Sequence, residues 1–253
     1  MIDHHVLVAL ANLCLGAVLG AVGGMMGIGG GLIAIPVLAW LYGMDQHLAQ
    51  GTALVMIVPN VLIGFVRYRQ RNHIDLRSTA SLAVLAMVST YVAARYAAAL
   101  DPGHLRVAFA LFLIALATYF SWQLRAPQER APGAAVSPRF LPVLGVFSGV
   151  MSGVFSVGGG LVVVPALVGL FRMTQTQAQG VAMALVIPGA VVALITYGHA
   201  GNVDWAVGIP LALGGLLSVS WGVALAHRIA QRTLRMLFCL VLFGTAGASL
   251  LRH

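Results

Sequence analysis

A succession of eight long apolar stretches, with nearly all the charge confined to the gaps between them, constrains this chain more than any single motif. They are read at 6–42, 47–69, 76–100, 104–124, 140–171, 176–199, 204–226 and 231–251. A helix crosses a hydrocarbon core with about 20 apolar residues, so most of these stretches are long enough to span a bilayer. Charged residues make up 8% of the chain, where a soluble domain carries about a quarter. The expected fold is therefore all-α and polytopic, with the lipid bilayer as its main surroundings.

The formal net charge is +8, and every basic residue is Arg. The acids Asp3, Asp45, Asp75, Asp101, Glu129 and Asp204 all lie between or at the edges of apolar stretches. Charge placed this way sets topology and does not indicate nucleic acid as a partner. Cys14 and Cys239 fall inside apolar runs without ligand or disulfide spacing and read as small buried hydrophobes. The histidines at 4, 5, 47, 73, 104, 199, 227 and 253 show no two-ligand spacing within one helix, and His4-His5 reads as a tail. Neither a metal nor another cofactor is expected, and homo-oligomerisation is left open.

The chain is internally duplicated. Adding 129 to a residue number in the first half finds its counterpart without a gap, from Leu15 with Leu144 to Leu113 with Leu242. The informative pairs are Gly29, Gly30 and Gly31 with Gly158, Gly159 and Gly160; Pro36 with Pro165; Gln50-Gly51 with Gln179-Gly180; Pro59 with Pro188; Tyr68 with Tyr197; and Asp75 with Asp204. The proline-containing stretch from Ala126 to Pro138 divides the halves, giving a first membrane repeat over 1–125, a linker over 126–139 and a second repeat over 140–253.

The first stretch of each half is too long. Residues 6–42 in one straight helix would measure about 55 Å at 1.5 Å per residue, against a bilayer core of about 30 Å. A break is expected at Gly27-Ile28-Gly29-Gly30-Gly31 and at Ser156-Val157-Gly158-Gly159-Gly160, because successive glycines weaken a helix and admit positive φ. Charge supports a hairpin. If each first stretch returns to its starting face, Arg67, Arg69, Arg71, Arg77, Arg125, Arg130, Arg139, Arg172, Arg228, Arg232 and Arg235 share one face, leaving Arg95, Arg106 and Arg252 opposite. The Arg-rich face is then cytoplasmic, both termini lie outside, and the halves are inverted repeats, each a Gly-broken helical hairpin plus three transmembrane helices.

Backbone that leaves helical geometry at membrane depth must be buried in protein or line a wet cavity. A broken helix also presents free N–H groups and a positive dipole end, which suit an anion. Gly16, Gly20 and Gly24, matched by Gly145, Gly149 and Gly153, read instead as small-residue ladders for helix packing. Gln50 and Gln179 offer amide donors to oxyanion oxygens, with capping of their own helices as the plainer role. Asn60 reads as interhelical glue, Pro59 and Pro188 as kinks, and Tyr68 and Tyr197 as interfacial anchors.

The sequence Gly27 to Pro36, then Ala49-Gln50-Gly51-Thr52-Ala53-Leu54, Tyr68 and Asn72-His73-Ile74-Asp75, resembles the TauE/SafE family of sulfite and organosulfonate exporters. The resemblance covers nearly the whole chain. Where that family reads Gly-Thr-Ser, this chain has Gly51-Thr52-Ala53 and Gly180-Val181-Ala182. The resemblance implies a secondary transporter of small sulfur-containing anions such as sulfite, thiosulfate or sulfonates in the bacterial inner membrane, with export as the expected direction. The candidate substrate-binding residues are Gly29, Gly30, Gly31, Gln50, Gly51, Thr52, Gly158, Gly159, Gly160, Gln179 and Gly180. A channel or passive facilitator is the alternative. An intramembrane enzyme centred on Ser152 is disfavoured, since no matching intramembrane His or following acid is evident. No carboxylate lies in the middle of an apolar stretch, and no nucleotide-binding loop is present.

Overall fold

The computed structural model describes residues 4–72, 76–125, 141–156, 160–169, 171 and 173–250. All ten elements found there are α-helices: α1 (His4–Met26), α2 (Gly31–Tyr42), α3 (Gln46–Arg71), α4 (Leu76–Ala97), α5 (Pro102–Arg125), α6 (Leu141–Phe155), α7 (Gly160–Gly169), α8 (Gln175–His199), α9 (Trp205–Ala226) and α10 (Gln231–Leu250). The starts of α2 to α5 recur 129 residues later as the starts of α7 to α10. Gly158, Gly159, His73, Ile74, Asp75 and the expected linker lie outside the described residues. Among the described residues, five helices, α1, α3, α5, α8 and α9, contain stretches long and apolar enough to cross a membrane.

Local chemistry sets these boundaries. Asp45 accepts from Leu48 N at the start of α3, and Thr174 closes a capping box with Gln177 at the equivalent start of α8. Asp204 caps α9 through Ala206 N and Val207 N, and Asp101 caps α5 through Gly103 N and His104 N. The carboxylates of Asp45, Asp101 and Asp204 thus satisfy N–H groups left without intrahelical partners. Helices α3 and α8 run on through Pro59 and Pro188. His4 and His5, expected in a tail, open α1.

The expected hairpin forms in the first half. At the end of α1, Gly27 takes a left-handed conformation (φ 73°) and Ile28 N donates to Gly23 O at 3.1 Å. This is the Schellman arrangement that terminates helices. Gly29 (φ 73°) and Gly30 (φ 95°) then reverse the chain. Helix α2 returns alongside α1, so that the Tyr42 hydroxyl donates to Asn12 Oδ1.

The halves interlock. Gly16, Gly20 and Gly24 of α1 lie against Leu211, Gly215 and Val219 of α9, so the two helices run parallel with their backbones in contact. A Cβ on Gly20 would stand 2.5 Å from Gly215 Cα. In the same manner Gly149 and Gly153 of α6 lie against Ala86 and Thr90 of α4, and Thr90 Oγ1 donates to Gly149 O at 3.0 Å. Each small-residue ladder therefore joins one half to the other, with a close backbone approach only glycine permits. At the centre, α3 and its counterpart α8 run antiparallel: Gln50 meets Tyr197, and Tyr68 meets Gln179. Cys239 is buried, but Cys14, expected in the interior, is exposed on α1.

Candidate functional site

The two breaks meet midway along α3. Gly29 and Gly31 pack on Ile57 and Val61 of that helix. A Cβ on Gly31 would lie 3.6 Å from Ser156 O, and one on Gly160 would lie 3.4 Å from Gly27 O. Ser156, the counterpart of Gly27, has a positive φ of 55° despite its side chain. Gly27 and Ser156 thus carry left-handed backbone at equivalent positions of the two halves, and both are buried. Asn60 Nδ2 donates to Gly29 O at 3.3 Å, while its Oδ1 is buried without a partner. Asn60, expected as general interhelical glue, holds the reversed chain itself.

A tyrosine-glutamine pair flanks the breaks on either side. Tyr68 OH donates to Gln179 Oε1 at 2.9 Å and to Gly24 O at 3.0 Å, and Gln179 Nε2 donates to Met25 O at 3.2 Å. Together they bind the last carbonyls of α1, groups that lipid cannot satisfy. On the other side Tyr197 OH donates to Gln50 Oε1 at 2.8 Å and also lies against Ser156. Gln50 and Tyr68 are 18 residues apart on α3, about 27 Å at 1.5 Å per residue.

All four side chains of these pairs are fully buried. This corrects the expectation that Tyr68 and Tyr197 anchor at the interface. It also corrects the capping role considered for the glutamines, since Asp45 and Thr174 cap α3 and α8. A usable signal was present: each tyrosine lies 18 residues after a glutamine in both halves, so antiparallel crossing of α3 and α8 pairs them twice.

The pairs are not equivalent in their bonding. Gln179 uses its amide nitrogen on Met25 O, whereas Gln50 Nε2 is buried with no partner among the described residues. Buried polar groups are nearly always hydrogen-bonded, and an orphaned donor costs about 1–3 kcal/mol. Gln50 therefore differs from Gln179 in holding a buried amide donor without a partner among the described residues.

Two other candidates are occupied by packing. Thr52 Oγ1 accepts from Asp204 N at 3.0 Å, and a Cβ on Gly51 would fall 1.8 Å from Asn202 O. Both face the α8–α9 connection, away from the breaks. Gly180 is buried on α8. Ser152 Oγ is buried without a partner, next to Gly189 and Thr90. Among the described residues no group of three His, Cys, Asp or Glu is placed to hold a metal.

The family model for the sulfite exporter TauE/SafE matches residues 12–249. The chain belongs to the TauE/SafE family. Its relatives include a probable membrane transporter protein of Xylella fastidiosa (strain 9a5c), 25% identical over 91% of this chain and 90% of its own length. The probable membrane transporter protein MJ0441 of Methanocaldococcus jannaschii is 25% identical over 93% of this chain and 92% of its own. The probable membrane transporter protein YunE of Bacillus subtilis is 22% identical over 90% and 92% respectively. No solved structure matches the chain. This TauE/SafE member is a multi-pass membrane transporter, and the paired breaks are the feature of its fold where helix ends, glycine backbone and buried amides come together.

Proposed function

We propose that the chain is a secondary transporter that exports small sulfur oxyanions, sulfite, thiosulfate or a sulfonate, across the bacterial inner membrane. The observation that carries this reading is the unpartnered Gln50 amide beside the paired glycine breaks. An oxyanion offers the acceptor that this amide lacks, and the N-terminus of α2, beginning at Gly31 after left-handed Gly30, adds N–H groups and a positive dipole end. Family membership favours sulfite-like substrates over other anions.

Alternating access follows from treating the glutamines as exchangeable partners. On one side Gln179 and Tyr68 hold the end of α1 and close the breaks off. On the other side Gln50 is free to bind substrate. In the opposite state the roles exchange: Gln50 takes the carbonyls at the end of α6, and Gln179 presents its amide to the anion. The antiparallel run of α3 and α8 supports an inverted relation between the halves, with the site at its centre. The arginines at the end of α3, Arg67, Arg69 and Arg71, then lie at the cytoplasmic mouth and raise the local anion concentration.

Counterflow in proteoliposomes tests the reading. Vesicles preloaded with unlabelled thiosulfate or sulfite should transiently accumulate the labelled anion above equilibrium. Saturable exchange supports a carrier. Non-saturating flux without counterflow would establish a channel instead, and failure of every sulfur oxyanion would remove the substrate assignment.

A further inference from the structure

At the Arg-rich end of α3 a histidine is wired into the Tyr68-Gln179 pair. His227, just past α9, has Nδ1 2.8 Å from Val223 O and Nε2 3.1 Å from Asn72 Nδ2. Its ring centroid lies 5.2 Å from that of Tyr68. Asn72 Nδ2 also donates to Tyr68 O at 3.0 Å. A carbonyl can only accept, so Nδ1 carries the ring proton, Nε2 is a bare acceptor and the imidazole is neutral. The amide cannot rotate freely, because turning its oxygen inward would set Oδ1 against Tyr68 O.

We infer that His227 is a proton-binding residue whose protonation unlatches this mouth. The inference rests on the transporter reading for its purpose, but its chemistry is independent of the substrate. A proton on Nε2 faces the Asn72 amide with a second donor, so a hydrogen bond becomes a donor-donor contact. The imidazolium keeps its attraction to the Tyr68 ring face. The contact that yields is the one to Asn72, which ties the end of α3 to the end of α9. Tyr68 takes part through both its carbonyl and its ring, and its hydroxyl seals the end of α1.

The described charged groups at this mouth are arginines. Helix α3 brings Arg67, which donates to Ser220 Oγ at 3.2 Å, together with Arg69 and Arg71. Arg228 follows His227, and Arg232 stands on α10. Helix α1 brings no charged group to this end, and the first turns of α8 bring only uncharged Gln175, Gln177 and Gln179. At the other mouth His47, with ring centroid 6.3 Å from that of Tyr197, has Nε2 2.8 Å from Leu100 O and no amide opposite. The duplication did not produce this arrangement twice, since position 98, the counterpart of His227, is Ala.

The test uses Met25→Cys, at the carbonyl that the latch covers, in full-length protein carrying Cys14→Ala, Cys239→Ala and His73→Gln and held in lipid nanodiscs. Thiol labelling is measured at about pH 5.5 and about pH 8, across the range where histidines titrate, with each rate divided by that of the unfolded protein at the same pH. Labelling should be about tenfold faster at the lower pH, the size expected from one part-buried hydrogen bond turned repulsive. His227→Gln, whose amide can serve both partners, should abolish the difference, and His47→Gln should preserve it. Asn72→Ala, which removes the contact to His227, should label at the faster rate at both pH values. An unchanged pH ratio in His227→Gln, or a pH ratio that survives in Asn72→Ala, overturns the latch. Because labelling needs no substrate, loss of the sulfur-anion assignment would leave this result standing.

Discussion

Truncating the two glutamines to alanine separates the proposed substrate donor from its structural twin. Gln179 accepts from Tyr68 and donates to Met25 O. At about 1 kcal/mol net per hydrogen bond, Gln179→Ala loses roughly 2 kcal/mol. Gln50→Ala loses the bond from Tyr197 but also removes a buried donor without a partner. That relief is about 1–3 kcal/mol, so the net change is near zero or slightly stabilising. Both variants leave similar cavities, which largely cancel in the comparison. For a chain of this size, about 2–4 °C per kcal/mol places the melting temperature of Gln179→Ala roughly 4–8 °C below that of Gln50→Ala. Thermal unfolding of purified protein, with and without sulfite or thiosulfate, reads both halves of the prediction. Gln50→Ala should melt above Gln179→Ala and lose the upward shift that ligand produces. Equal destabilisation of the two variants, with ligand shifts intact in both, would refute the division of roles.

Gly20→Ala and Gly149→Ala should each lower stability by about 1–3 kcal/mol through overpacking between helix backbones, while whatever folds keeps its ligand affinity; melting and titration of the same samples check this. Thr52→Val should cost about 1 kcal/mol by removing the acceptor of Asp204 N, with little change in substrate affinity, which would place this residue outside the site. Cysteines introduced at Ser137 and His253 should react with an impermeant thiol reagent on opposite faces of the membrane; labelling of both from outside intact cells would refute inverted repeats.

How much of this was legible beforehand varies by residue. Gly27 to Gly31 announced the reversal because positive φ is a local property, and a run of glycines has few other uses within an apolar stretch. The register of the second half was equally local, since apolar lengths and caps such as Asp45 and Thr174 repeat along the chain. Tyr68 was misread because proximity to the end of an apolar stretch suggests an interface, and nothing in its neighbours reveals a partner 111 residues away. Asn60 reads from the sequence as interhelical glue, but only the fold shows its partner to be Gly29 O.

The sequence by itself determined a helical membrane protein with a break in the first long stretch, because hydrophobic length, glycine conformation and capping act over a few residues. The tertiary structure decided which polar groups meet inside it. The antiparallel crossing of α3 and α8 joins Gln50 to Tyr197 and Gln179 to Tyr68 across 147 and 111 residues. It also left Gln179 bonded to the end of α1 and the Gln50 nitrogen without a partner. No periodicity carries that difference, because the two glutamines are equivalent in the duplicated sequence and differ only in which carbonyls the folded chain brings within reach.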